Sequence, residues 1–93
     1  MSEPRWRVEF DRDAARELSK LGEPARRTIL RYLRERIATA ADPRRFGKAL
    51  AGEFAGLWRY RIGDYRLIAS FEDDRLIVLV LRLGHRRGVE AQS

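Results

Sequence analysis

Apolar and polar residues alternate in "WRVEF", residues 6 to 10, the signature of a strand with one buried face. The period then changes. Ala14, Ala15, Leu18 and Leu21 recur at helical spacing behind Asp11, a residue type suited to an N-cap, and Gly22 predicts the stop. Pro24 suits the first turn of a second helix. In "PARRTILRYLRERIATA" the apolar stripe is Ala25, Ile29, Tyr32, Leu33, Ile37 and Ala40, with Asp42-Pro43 predicting its end. "RRFGKALAGEFAG", residues 44 to 56, keeps no steady period and predicts a loop with room for a short turn. Three strands follow, at about 57–62, 65–72 and 75–83. Gly63-Asp64 is a two-residue hairpin turn with Gly first, and Asp73-Asp74 predicts a second such turn.

The order is β-α-α-β-β-β. It predicts an α+β fold, a helical hairpin packed on a small, mainly antiparallel, twisted sheet. The last strand is apolar at nearly every position, so it should be central or covered on both faces. Trp58, Tyr60, Tyr65, Leu67, Ala69 and Phe71 share the face expected under the helices. The 93 residues suit one domain, with residues 88–93 as a polar tail.

The first hairpin has a cost built in. Its turn sets Arg61 opposite Arg66, and Arg59 shares their face. Like charges facing across a sheet are destabilising. At about 5 Å and an effective dielectric near 20, two unit charges repel by roughly 3 kcal/mol, and by under about 1 in bulk water. An anionic partner is the simplest compensation.

Composition narrows the partner. The net charge is +6, and 18 of the 20 basic residues are arginine, which favours nucleic acid, anionic membrane or an acidic protein. Base composition of the gene accounts equally for the number of arginines, though less well for their placement. Arg26, Arg27, Arg31, Arg34 and Arg36 are most simply a solvated helix face, with a ribosomal-RNA footprint as the rival reading. There is no cysteine and no clustered set of metal ligands, so neither metal nor cofactor is expected. The densest apolar run, "LIVLVLRL", is too short to span a bilayer, and "MSEPRWRVEF" lacks a signal-peptide layout. A soluble cytoplasmic protein with no membrane partner is the expectation.

"GKALAGEFAGLWRYRIGDYRLI" followed by "VLRLGHRRGVE" resembles the RelE/ParE superfamily of bacterial toxins. The similarity runs from "VEFDRDAARELSKL" to "GHRR". It implies a type II toxin held inactive by a cognate antitoxin, reaching operator DNA only through that complex. RelE-like members cut messenger RNA on the ribosome. ParE-like members poison DNA gyrase. A homologue without toxicity, acting with its antitoxin as an autorepressor, is the third possibility. The carry-over assigns catalytic places to Arg59, Arg61, Arg66, His85 and Arg86 and an RNA contact to Lys48; Arg87, next in the chain, is an RNA-contact candidate against a solvated tail charge or an antitoxin contact.

Metal-independent cleavage proceeds by attack of a ribose 2′-oxygen on its neighbouring phosphate. It leaves a 2′,3′-cyclic phosphate and a 5′-hydroxyl. Charge gathers on the phosphoryl oxygens, where fixed arginines stabilise it. Arginine keeps its proton, so His85 is the candidate acid or base, against the plain reading of a structural or exposed histidine. Glu53 and Glu90 are weaker candidates. The sequence departs from the pattern at Glu90, where many relatives have a tyrosine, and some carry lysines where Arg59 and Arg61 stand. With a two-residue turn at Asp73-Asp74, the apolar strip Ile68, Ile77, Leu79 and Leu81 falls beside the arginines and predicts cover by an amphipathic antitoxin segment, against cover by the chain's own helices or tail.

Overall fold

The computed structural model describes residues 4–85. Strand β1 (Arg7–Phe10) leads into helix α1 (Arg12–Ser19) and helix α2 (Glu23–Tyr32). Two short turns and the two-residue strand β2 (Lys48–Ala49) follow. Strands β3 (Trp58–Ile62), β4 (Tyr65–Glu72) and β5 (Ile77–His85) complete the sheet. The lateral order is β1-β5-β4-β3-β2, with β1 parallel to β5 and every other pair antiparallel. The expected α+β architecture is present, and β5 is internal, as its apolar run requires.

Asp11 caps α1, its side chain accepting from the Asp13 amide. Ala14 and Leu18 turn inward, whereas Ala15 is exposed. Gly22 does not stop α1. The helix ends at Lys20, and Gly22, in extended conformation, is the N-cap of α2, with Pro24 in the first turn. Beyond Tyr32 the helix widens into a π-helical turn, Leu33–Ile37, closed by the Ala38 amide on the Leu33 carbonyl at 2.8 Å. The buried stripe therefore ends at Ile37, and Ala40 is exposed. Asp42 caps a separate 3₁₀ turn, Pro43–Phe46.

One core lies between the helices and the sheet. Ile29, Leu33 and Ile37 meet Tyr60, Ile62, Leu67, Ala69, Val78, Val80 and Leu83. Trp58, Tyr65 and Phe71 close its margin, and Trp6 meets Phe71 edge to face at 5.9 Å.

Three departures bear on the site. Residues 44–56 hold β2, which extends the sheet by pairing Lys48 with Arg59 and Ala49 with Trp58. The β4–β5 connection is not a two-residue turn at Asp73-Asp74. It is a four-residue loop, 73–76, with Leu76 at φ 52° and Glu72 opposite Ile77. Last, Ile68 faces Arg82 while Ala69 faces Val80, so Leu81 is an extra residue, a β-bulge in β5.

Candidate nucleic-acid interface

Gly63 takes φ 59° and Ile62 pairs with Tyr65, giving the tight turn predicted from Gly63-Asp64. Arg61 consequently stands opposite Arg66, and Arg59 opposite Ile68. These arginines alternate with the core residues Tyr60, Ile62 and Leu67. β2 adds Lys48 beside Arg59. The backbone makes that addition through Gly47. A Cβ there would lie 3.0 Å from Cζ of Tyr60, whose hydroxyl donates to the Pro43 carbonyl at 2.8 Å. Only glycine lets the strand approach that pinned ring so closely.

Lys48, Arg59 and Arg61 line one open groove of about 300 Å³ together with Phe46 and Gly47. Phe46 is half-buried, with the Arg45 guanidinium 4.6 Å from its ring centre and that of Arg36 at 5.6 Å. No ion pair among the described residues involves Lys48, Arg59 or Arg61. Three cations beside an aromatic side chain are the chemistry a phosphodiester calls for.

Arg66 differs from its neighbours. It is 3% exposed, whereas Arg59 is half-buried and Arg61 exposed. His85 is exposed at the end of β5, opposite Tyr65, their rings edge to face at 5.8 Å. Tyr65 packs against the core, so His85 leaves the sheet on the helix side. The structure brings Lys48, Arg59 and Arg61 together and sets His85 on the other face. Arg86, Arg87 and Glu90 lie outside the described residues.

A family described as "ParE toxin of type II toxin-antitoxin system, parDE" matches residues 8–89. Toxin RelG of Mycobacterium tuberculosis is 31% identical over 84 residues, 90% of this chain and 94% of that protein. The chain belongs to the RelE/ParE superfamily of type II toxins.

The same architecture recurs in solved structures. The RelBE2 toxin-antitoxin complex of Mycobacterium tuberculosis superposes with a TM-score of 0.81 at 32% identity, covering 88% of this toxin and 92% of that chain. The archaeal RelE-RelB complex of Pyrococcus horikoshii gives 0.62 at 26% identity, covering 87% and 94%.

The apolar strip expected beside the arginines of this toxin is not an open surface. Ile77 is wholly buried, Ile68, Leu79 and Leu81 are half-buried, and the exposed large apolar residues among those described are Leu30 and Phe54. The expectation of an open strip for an antitoxin segment is therefore corrected. Phe46 is the groove residue that sequence reasoning passed over. Its signal was an aromatic residue beside the Gly-Lys pair in "RRFGK". Among the described residues, no helix is long and apolar enough to cross a membrane.

Proposed function

We propose that this toxin is a ribosome-dependent, metal-independent messenger-RNA endonuclease of the cytoplasm, neutralised by a cognate antitoxin as RelBE2 is a toxin-antitoxin complex. One observation carries the reading: Lys48, Arg59 and Arg61 line one groove with Phe46 and hold no ion pair among the described residues. In the reaction the 2′-hydroxyl gives up its proton as its oxygen bonds to phosphorus, the bond to the 5′-oxygen breaks, and that oxygen takes a proton. Arg59 and Arg61 stabilise the charge on the phosphoryl oxygens. Neither arginine moves the proton. Lys48 lies within the groove, whereas His85 on the helix side serves proton transfer only if the substrate wraps the end of β5.

The test is mapping of mRNA 5′ ends after incubation with programmed ribosomes. Codon-phased cuts with 5′-hydroxyl ends are expected, and Arg59→Ala with Arg61→Ala should slow them by about 10²–10³. Intact message beside blocked supercoiling by gyrase sinks the reading. That second possibility, a gyrase inhibitor, draws support from the matched family being described as ParE.

A further inference from the structure

The arginine groove does not stand alone. Arg61 also lines a second concavity of about 300 Å³, which it shares with Arg31, Tyr32 and Arg36 of the α2 segment. Arg31 in turn lines a third, of about 460 Å³, with Arg27, Leu30 and Arg34. Two shared arginines thus join three adjacent depressions. We infer that they form one continuous cationic path, and that it takes the phosphodiester backbone of the same RNA strand that enters the Lys48–Arg59–Arg61 groove. The inference rests on reading that groove as an RNA site.

Charge bookkeeping along the path favours an anion. Glu23 is paired with Arg27, and Glu35 meets Arg34 at 3.9 Å across solvent. Arg26 donates to the Leu21 carbonyl. Arg31 and Arg61 join no ion pair among the described residues. Arg27, Arg31 and Arg34 step along the helix by about 4.5–6 Å, a spacing suited to successive phosphates of an extended strand, with Arg27 and Arg34 exposed enough to exchange their carboxylate partners for phosphate. The path has one exposed large apolar residue, Leu30. A protein partner needs an apolar anchor cluster at the centre of its interface, and a nucleic-acid strand does not.

The test uses the full chain and non-cleavable 2′-O-methyl oligoribonucleotides of about three and twelve nucleotides, read by fluorescence anisotropy, the shorter length being set to fill the groove alone. The longer oligonucleotide should bind about tenfold tighter, and Arg31→Ala with Arg34→Ala should erase that advantage while flattening its salt slope by roughly 1.4. The trinucleotide should respond to Arg59→Ala and not to the helix pair. A length advantage untouched by the helix pair overturns the path. So does loss of binding to a poly-glutamate peptide with RNA affinity unchanged. Absent mRNA cleavage with the advantage intact sinks the nuclease reading alone. Normal cleavage with no length advantage sinks the path alone.

Discussion

Glu17 on α1 accepts the backbone amide of Leu83 at 2.9 Å, and the same carboxylate takes both Nε and an Nη of Arg82 at 3.3 Å. β1 pairs with β5 only as far as Val80, so the Leu83 amide has no strand partner on that side. The helix supplies one instead. Glu17→Ala strands a part-buried amide and should cost about 1–2 kcal/mol. Glu17→Gln keeps an acceptor and should cost less than half as much. Thermal melts check the order; equal losses in the two variants would remove the amide from the account.

Arg44 ties the turn after α2 to the β4–β5 loop. Its guanidinium grips both Asp73 oxygens at 2.7 and 2.8 Å and lies 4.4 Å from the centre of the Phe71 ring. Asp73 pushes the Arg44 pKa further up, so the pair stays ionised on the basic side. Arg44→Ala should destabilise by about 1–2 kcal/mol through lost packing and pairing together. Arg44→Lys should recover under half, since an ammonium lacks the planar fork. A double-mutant cycle with Asp73→Ala should give a coupling of about 0.5–1 kcal/mol. Additive losses would show that the ring contact alone matters.

Tyr60 should contribute to the alkaline limit of stability. Burial, then the charges of Tyr32 and Asp42, push its phenol above the ordinary 10.0. At pH values above 10 the unfolded chain releases a proton that the folded chain retains. Stability therefore falls as pH rises through that window. Tyr60→Phe should lose about 1 kcal/mol at neutral pH, because the Pro43 carbonyl loses its donor, yet show a flatter decline above pH 10. Urea midpoints from pH 8 to 11 test this. A parallel decline in both proteins would place the titration elsewhere, with Tyr32, also raised by burial, first in line.

The hairpin was legible because two strong signals agreed: strict alternation on both sides and a Gly-first turn. Gly22 was ambiguous because glycine suits a helix end and a helix start equally. β2 was hidden, since two residues carry no period and its existence depends on pairing with β3. The decisive loss was in β5. Where nearly every residue is apolar, alternation cannot mark a face, and the bulge at Leu81 left no trace. One extra residue reverses every side chain beyond it. Without it, His85 would have shared the face of Ile77 and Arg66; with it, His85 joins Tyr65.

Arg61 is exposed, Arg66 is buried, and they face each other across β3 and β4. Arg61 adds a second positive charge to a strand pair that already holds one, and on the proposed reading an anion in the groove balances it. Arg61→Gln removes it while keeping a polar side chain at the rim. The variant should therefore gain up to about 1 kcal/mol at low ionic strength. The gain should shrink in salt, as screening weakens the repulsion in the parent chain. RNA binding and cleavage should fall in the same variant, the trade expected of a charge placed for ligand rather than for fold. Melts at about 0.02 and 0.5 M salt, set beside oligonucleotide titrations, decide it. If Arg61→Gln is less stable than the parent at low salt, the arginine is holding the hairpin together, and the anion groove loses its physical motive.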